Sequence, residues 1–392
     1  MNIPEFYLYS IGMKEEITII GGGIAGLTTA IALHTIGKNP VIFEAAPYLK
    51  AVGAGLGLAA NAIQAFARLG LKEEVIQRGR VLPSFTIYDQ RGRKITETDS
   101  QAMSKKYGVD NFTIHRAALH DLLISKINPQ HIHTDKQAVD ITQTADSVTV
   151  TFQDGTTHET RLLIAADGIH SAIRRKLLPD AEPRYAGYTC WRAVIDNSDL
   201  NLKESLETWG TSGRFGIVPL AEKQVYWFAC INAPRADPAM QHFGVADLQN
   251  HFKDFHAPIP TLLAHTQDKD LIWNDIIDLK PLERYVFNNI LLIGDAAHAT
   301  TPNMGQGACQ AIEDAIVLAD VLKSNADTKI ALQQFEKRRL KRTHYITDTS
   351  WRVGKVAQIE NRWGASLRNT AFRLLPRKVR EKQFEKLYNV DF

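Results

Sequence analysis

The chain has little cysteine. Among 392 residues there are three, Cys190, Cys230 and Cys309. None belongs to a C-x-x-C pair and their number is odd, so a disulfide framework, a zinc site and dithiol redox chemistry are all disfavoured. The histidines also lack metal-ligand spacing, and we predict no metal site. Such sparse cysteine usage is typical of the reducing cytoplasm, which is the expected location.

Long apolar runs and a strong net charge are also missing. No stretch of 18 apolar residues occurs, and residues 1–12 lack the basic and apolar regions of a secretory signal. We therefore expect a protein that is neither exported nor membrane-spanning, with residues 1–12 as a mobile extension. The net charge of +3 is too small for a nucleic-acid partner. Residues 346–392 account for all of this positive excess, with 10 Lys and Arg against 5 Asp and Glu, which leaves 36 against 38 in the rest of the chain.

The most informative stretch that is present reads EITIIGGGIAGLTTAIALHTIGKNPVIFE. An apolar strand leads into Gly21, Gly23 and Gly26, which form the G-x-G-x-x-G pattern of a dinucleotide-binding turn. The following helix would direct its free N–H groups at phosphates, and Glu44 ends the next strand, where a carboxylate binds a ribose diol. The pattern predicts a bound nucleotide and does not by itself separate FAD from NAD.

Several later segments suggest how the chain is divided. Residues 290–322 again show an apolar strand followed by a polar loop and a long helix, as in the glycine-rich stretch. Pro183 to Leu279 instead contains several predicted strands that are rich in aromatic residues. We therefore predict a discontinuous nucleotide-binding domain with a sheet domain inserted into it. The predicted boundaries are 13–75, 100–180 and 281–345 for the first domain, 76–99 and 181–280 for the second, and 346–392 for a C-terminal helical segment. This last segment would either pack on the protein or contact an anionic membrane.

Three separated motifs together resemble a known family. They are GGGIAG with Glu44, the segment Ala166–Gly168 followed by Ser171 and Arg174, and GDAAHATTPNMGQGACQAIEDA. These resemble the signatures of single-component FAD-dependent aromatic hydroxylases, the class A flavoprotein monooxygenases. The likeness is greatest to the branch with urate, salicylate and 3-hydroxybenzoate hydroxylases and carotenoid epoxidases. It implies an α/β fold with a Rossmann-like FAD-binding domain, an inserted, mostly antiparallel β-sheet substrate domain and a C-terminal helical segment.

The resemblance also implies a set of cofactor contacts. Asp295 would meet the ribityl or pyrophosphate region of FAD, Arg116 would neutralise a phosphate or ribityl oxygen, and Asp167 would bridge the bound nucleotides. A surface helix position for Arg116 is the alternative that the residues alone leave open, and Gly53, Gly55 and Gly57 could equally form a flexible loop. The implied cofactor-binding positions are Gly21, Gly23, Gly26, Glu44, Gly55, Arg116, Asp167, Asp295, Pro302, Gly305, Gln306 and Gly307.

Three residues are candidates for the substrate site. Arg214 and Tyr226 fall where urate hydroxylases place substrate-contacting residues, although alternation along a strand does not tell which face each occupies. Asn303 stands where urate hydroxylases carry an aspartate, and an amide cannot accept a proton near neutral pH, so urate is not the expected substrate. Trp191 and Arg192 are further pocket candidates. For His298 a structural role in the flavin loop is favoured over a role as base.

The implied activity is hydroxylation of a small electron-rich aromatic or heteroaromatic substrate with O2, through a flavin C4a-hydroperoxide. NADH or NADPH would be a transient electron donor, because only one dinucleotide motif is present. A monomer or homodimer is expected. Two alternatives remain open: an epoxidase of a polyene or quinone-like lipid, and a flavin-binding protein without oxygenase turnover.

Overall fold

The structure of the protein, a computed structural model, describes residues 15–49 and 54–392. Residues 1–12, predicted to be an extension, and Gly53 lie outside the described residues. The strands are β1 Glu15–Ile20, β2 Val41–Phe43, β3 Gly55–Leu58, β4 Gly79–Val81, β5 Ser84–Asp89, β6 Lys94–Asp99, β7 Phe112–His115, β8 Ile132–His133, β9 Ala138–Gln143, β10 Val148–Phe152, β11 Thr157–Ala165, β12 Arg184–Asp196, β13 Ser205–Trp209, β14 Arg214–Pro219, β15 Gln224–Asn232, β16 Ile272–Asp278, β17 Val286–Phe287 and β18 Ile290–Leu292.

The helices connect and cover these strands. They are α1 Ile24–His34, α2 Ala60–Arg68, α3 Lys72–Gln77, α4 Ser100–Tyr107, α5 Arg116–Ile124, α6 Ala172–Leu177, α7 Pro238–Gln241, α8 Val245–His251, α9 Ile259–Ala264, α10 Asp295–His298, α11 Gly307–Ser324, α12 Thr328–Ala357, α13 Arg362–Leu374 and α14 Arg377–Tyr388. A 3₁₀ turn, Pro302–Met304, precedes α11. Over the ranges 15–49 and 54–392, no helix is long and apolar enough to cross a bilayer.

Two large sheets organise the molecule. In the first, the order is β17-β18-β11-β1-β2-β8, with β10 and β9 attached to β11, and β18, β11, β1, β2 and β8 run parallel. In the second, the order is β16-β12-β15-β14-β13-β5-β6, antiparallel except where β13 meets β5. A small third sheet has the order β3-β7-β4. The predicted α/β fold with a mostly antiparallel second sheet is confirmed, while the domain boundaries stay a prediction.

Glycines allow α1 to lie close to the first sheet. A Cβ on Gly26 would be 1.9 Å from the Gly21 carbonyl oxygen, and Gly21 itself has a φ of +108°. Only glycine fits both places, because one is crowded by backbone and the other is in a conformation that side chains disfavour. The predicted strand–turn–helix is therefore confirmed, with the helix ending at His34.

A buried ionic network holds α11 in place. Arg339 on α12 is 2% exposed and donates to Asp314 Oδ1 at 2.7 Å and to Glu313 Oε2 at 2.6 Å. His298 Nε2 lies 2.7 Å from the other oxygen of Asp314, which also accepts from the Gly294 N–H at 2.9 Å. One carboxylate thus joins α11, α12 and the turn after β18.

The C-terminal helices pack on the protein, as one of the two alternatives predicted. Leu387 and Tyr388 are buried beside Ala60 and Ile346, and Arg342 donates to the Leu387 carbonyl at 2.6 Å. Helix α12 runs through residue 346, so the predicted start of the C-terminal segment falls inside a helix. Helix α13 is different in one respect, because it leaves large apolar side chains exposed.

The network predicts a specific response to charge removal. Burial by itself would raise the pKa of Asp314, but His298 and Arg339 lower this pKa to about 2. Asp314→Asn should therefore lower the free energy of unfolding at pH 7 by about 3–5 kcal/mol, the usual effect of leaving a buried charge unpaired. Since the folded-state pKa is below the ordinary value of about 3.9, the difference should persist above pH 4 and shrink as the pH falls towards 2.

Urea unfolding at pH 7 and at pH 3 measures this effect. The matched control is Asp320→Asn on the same helix, where the carboxylate pairs with Arg338 near the surface and should contribute at most about 1 kcal/mol. Equal stability of the two variants at pH 7 would contradict the assigned role of Asp314.

Candidate active site

Parallel strands bring four predicted positions to one edge of the first sheet. Because β1, β2, β11 and β18 are parallel, their carboxyl ends lie together. Gly21 follows β1, Glu44 follows β2, Asp167 follows β11 and Asp295 opens the helix after β18. Residues separated by up to 274 positions in sequence therefore share the edge where open α/β sheets bind ligands.

The glycine turn leaves room for an anion. Gly23 is exposed, a Cβ added there would meet no atom within 4 Å, and no side chain caps the start of α1. The free N–H groups at this helix end are suited to a pyrophosphate. Glu44 is held beside the turn, since it accepts from the Gly22 N–H at 2.6 Å and the Ala46 N–H at 2.8 Å.

One contact to this turn was not predicted. The ring of His120, on α5, is buried and its Nε2 lies 2.8 Å from the Gly22 carbonyl oxygen, so Nε2 carries the proton and donates. Sequence reasoning missed this support, because a lone histidine 98 residues away has no local signal.

The charged residues at the edge are placed to meet a ligand. Asp167 Oδ1 is buried and has no hydrogen-bond partner in the described part of the chain, and burial raises the pKa of this carboxyl. Asp295 is exposed although Gly294 and Ala296 are buried, and Arg116 is exposed at the first position of α5. An orphaned buried oxygen is costly unless a bound group satisfies it.

We call the glycine turn at residues 21–26 the first cofactor cradle. The second predicted cradle is the turn at residues 302–307, before and at the start of α11. Pro302 and Gly305 are exposed, and Gly305 has a φ of +61°. A Cβ added at Gly305 would meet no atom within 4 Å, and a Cβ added at Gly307 would meet only Thr300 Cγ2, at 3.7 Å. No side chain caps α11. The Gln306 side chain, however, is buried and accepts from Asn61 Nδ2 at 3.0 Å, so this residue can offer a ligand only its backbone.

These observations fit FAD. Open helix ends at Gly23 and Gly305, an exposed cation at Arg116 and an unpaired carboxylate oxygen at Asp167 are complementary to a dinucleotide with phosphates and hydroxyls. Gly55 lies in β3, where an added Cβ would be 2.7 Å from the Tyr226 side chain on β15. The glycine there is required by close packing against the second sheet, which brings the FAD cradle and that sheet together.

Arg214 and Asn303 meet directly at this junction. Arg214 is 3% exposed, and its Nη2 donates to Asn303 Oδ1 at 2.9 Å. Its other donors reach Glu207 Oε1 at 3.0 Å and Gln358 Oε1 at 2.8 Å. The Tyr188 hydroxyl also donates to Asn303 Oδ1, at 3.1 Å. The two predicted substrate residues thus form a polar cluster with Tyr188, Glu207 and Gln358, which were not predicted.

The orientation of the Asn303 amide follows from its neighbours. Arginine can only donate, so the amide oxygen faces Arg214 and the NH2 group faces the Thr301 hydroxyl at 2.9 Å and the Ser350 carbonyl at 3.0 Å. The approach requires Gly354 on α12, where a Cβ would be 2.4 Å from Asn303 Nδ2. A glycine inside a long helix was a signal of such a close approach.

Tyr226 lies on the same face of the sheet but away from this cluster. Arg214 is in register with Cys230 on β15. Cys230 and Tyr226 are four residues apart on that strand, so Tyr226 is about 13 Å from the position opposite Arg214. The half-buried face around Tyr226 includes Phe228, whose ring lies where a Cβ of Gly216 would be. Arg192 is also on this face and hydrogen-bonds to Tyr226, but burial still raises the pKa of that phenol above its ordinary value.

The interpretation of His298 as structural is supported. Its ring is 5% exposed, pairs with Asp314 and lies against the Tyr285 ring at 5.7 Å between centroids. A histidine whose reactive nitrogen is engaged inside the protein is not available as a base in the cleft.

A dinucleotide cradle at the carboxyl edge of a parallel sheet, closed by an antiparallel sheet with a polar cluster, defines a flavoprotein with a substrate cleft. The chain belongs to the FAD binding domain family, whose model matches residues 14–350.

Similar proteins agree with this assignment. The chain is 37% identical to an aurachin C monooxygenase/isomerase of Stigmatella aurantiaca, over 93% of this chain and 95% of that protein. It is 32% identical to a 2-heptyl-3-hydroxy-4(1H)-quinolone synthase of Pseudomonas aeruginosa, over 95% and 97%. The structure of Klebsiella pneumoniae HpxO complexed with FAD and uric acid has a TM-score of 0.88 at 27% identity, covering 97% and 98%. The protein is thus an FAD-dependent monooxygenase of the aromatic-hydroxylase type.

The two glycines of the first cradle predict separable effects. Gly23→Ala should leave the unfolding temperature of the apoprotein unchanged, because the added methyl group meets no atom, and should weaken FAD binding at least about tenfold by filling the pyrophosphate site. Gly26→Ala should instead lower the unfolding temperature, since its methyl group collides with the Gly21 carbonyl. Flavin absorbance per protein and thermal unfolding of the apoprotein measure both. Tight FAD binding by Gly23→Ala would place the pyrophosphate elsewhere.

Proposed function

We propose that this protein hydroxylates the heteroaromatic ring of a 2-alkyl-4(1H)-quinolone, using FAD, O2 and NADH or NADPH. The observation that carries the proposal is the cleft face of the second sheet, which combines one polar cluster with a half-buried apolar surface. Tyr226, Phe228 and Val194 are all half-buried on that face. A substrate with a polar ring and an apolar chain matches this division.

The charge balance of the polar cluster favours a neutral ring over an anion. Arg214 is the cation of the cluster, but Glu207 pairs with it at 3.0 Å, and the two side chains are only 3% and 12% exposed. An anionic substrate would have to compete with that carboxylate for the same guanidinium. A neutral ring carbonyl brings no negative charge, and it can instead accept from an N–H group of Arg214 that the cluster leaves unused.

Arg192 is the second cation of the cleft. Its Nη1 donates to the Asn274 side chain at 3.3 Å, and no carboxylate in residues 15–49 and 54–392 forms a salt bridge with it. A positive charge without a carboxylate partner can stabilise negative charge that grows on a ring oxygen during oxygen transfer. We assign this role to Arg192, with Tyr226 holding it in position.

Bound FAD would supply the redox chemistry: a hydride would come from the nicotinamide, one oxygen atom of O2 would go to the substrate and the other would leave as water. Gly23, Glu44, Arg116, Asp167 and Asp295 would hold the dinucleotide. Gly305 and Gly307 would leave the backbone N–H groups of α11 facing the flavin, where they stabilise negative charge. Ring carbon 3 of a 4(1H)-quinolone is made electron-rich by the ring nitrogen, so the site does not need a strong base.

The relatives support this substrate class. The Pseudomonas aeruginosa protein is named for a 3-hydroxylated 2-heptyl-4(1H)-quinolone, and the match extends over nearly the whole of both chains. Urate is disfavoured by Asn303, which replaces the aspartate expected in a urate hydroxylase. We also propose that the two large sheets belong to the cofactor and substrate domains, with the boundaries predicted from the sequence.

A substrate screen tests the proposal. Oxidation of NADH and NADPH is followed with 2-alkyl-4(1H)-quinolones of increasing chain length, with urate and with salicylate, and products formed under ¹⁸O2 are identified by mass spectrometry. We expect quinolones to stimulate turnover, one ¹⁸O atom in the product, and a KM that falls with chain length. Preferential turnover of urate, or quinolone-stimulated peroxide release without an oxygenated product, would refute the assignment.

Arg214 is expected to govern the coupling of the reaction. Arg214→Ala removes the partner of buried Glu207 and one of the two donors to Asn303, so the substrate ring should lose its fixed orientation. We predict a raised KM or a fall in the fraction of NAD(P)H oxidation that yields product, with the remainder appearing as peroxide. Unchanged KM and coupling would argue against a place for Arg214 in the substrate site.

Two comparisons separate this effect from a loss of folding. Arg214→Lys keeps the charge without the planar fork and should recover only part of the coupling. Arg161→Ala removes an exposed arginine on β11 of the first sheet and should behave like the unmodified protein. Flavin content and unfolding temperature are recorded for all three variants.

A further inference from the structure

Helix α13 has two apolar faces, and folding accounts for only one of them. At about 100° per residue, Ala365, Arg368, Asn369 and Phe372 lie on one side of the helix, and these residues are buried or half-buried. Trp363, Leu367 and Leu374 fall within about 40° of one another on the opposite side. Their side chains are 85%, 72% and 76% exposed.

The inner face is fully explained by packing. The Phe372 ring meets the Trp209 ring edge-on at 5.3 Å, and the Arg368 guanidinium lies 5.1 Å over the same indole. Arg368 also donates to the Ala357 carbonyl at 2.8 Å. The helix is thus firmly seated, and its outward stripe is a fixed surface of the folded protein.

Basic residues flank the outward stripe. Arg362 and Arg373 are exposed on one flank of the same helix. Arg373 donates to the Lys94 carbonyl at 3.1 Å and to Asp89 at 3.0 Å, which joins α13 to the β5–β6 hairpin. The turn of that hairpin adds exposed Arg91 and Arg93. Two distant segments therefore build one surface, with an apolar centre and a cationic border.

We propose that this surface, formed by α13 and the β5–β6 turn, docks on an anionic lipid bilayer. An apolar stripe with Trp at one end and arginines along its side is the pattern of helices that lie in the membrane interface. Isolated exposed apolar residues are ordinary, but three in one stripe indicate an interaction surface. A stripe of three side chains is small beside the roughly 800 Å² per partner of a stable protein interface, and its arginines would repel those of a second copy.

The position of the helix gives the docking a consequence. Trp209, which α13 covers, is in register with Arg214 on the neighbouring strand. A bilayer under α13 would therefore lie next to the substrate cleft. A substrate with an alkyl chain would then pass directly from the bilayer into the cleft. This consequence rests on the function proposed above, whereas lipid binding itself does not.

Vesicle co-sedimentation of the full-length, FAD-loaded protein tests the proposal without any substrate. We expect binding to vesicles that contain phosphatidylglycerol, weaker binding to phosphatidylcholine alone, and weakening by salt. Trp363→Ser combined with Leu367→Ser should reduce the bound fraction about tenfold, with unchanged unfolding temperature and flavin content. The control, Val139→Ser with Ile330→Ser, removes two exposed apolar side chains elsewhere and should bind as the unmodified protein does.

Three other outcomes would overturn the proposal of lipid docking. Failure to sediment with anionic vesicles, or equal binding by the α13 variant, would remove lipid as the occupant. A dimer that the α13 variant converts to a monomer, measured by light scattering, would make the surface a protein interface. If vesicles are bound but no quinolone is hydroxylated, the docking surface stands and the proposed substrate fails.

Discussion

The structure depends on one buried arginine and the two carboxylates beside it. Arg339 is fully surrounded by protein and bonds to Glu313 and Asp314, adjacent residues of α11. Removing three charged groups from water is unfavourable unless their hydrogen bonds are complete. Here several elements complete these hydrogen bonds. Glu313 also accepts from Arg342 and Asn61, and Asp314 accepts from His298 and from the Gly294 N–H.

This constraint fixes the geometry of the cofactor cradle. Gly294 is the turn after β18, α11 begins at the second glycine cradle, and α11 packs against α1, whose first turn is the other cradle. The network therefore sets the distance between the two helix ends that are predicted to face the same ligand. Arg342 also donates to the carbonyls of Lys386 and Leu387 on α14. Helix α14 is therefore joined to the same ionic network.

How far the sequence predicts this arrangement depends on the range of each interaction. Gly21, Gly23, Gly26 and Glu44 were predictable, because strand, turn and helix impose the pattern within 30 residues. The contacts of Arg214 were not, since Asn303 and Gln358 are 89 and 144 positions away. Alternation also fails on β14, where five of the six residues are buried, so the pattern does not tell its two faces apart.

The amide at residue 303 links the packing of the cleft to its proposed chemistry. Its NH2 group donates to the Ser350 carbonyl, and an aspartate would place a carboxylate oxygen against that carbonyl while adding a second negative charge beside Glu207. The surrounding structure is therefore built for a neutral amide, which orients Arg214 and Tyr188 and cannot accept a proton near neutral pH. The proposed substrate is consistent with such a cleft, because the ring nitrogen of a 4(1H)-quinolone already makes carbon 3 nucleophilic in the neutral form.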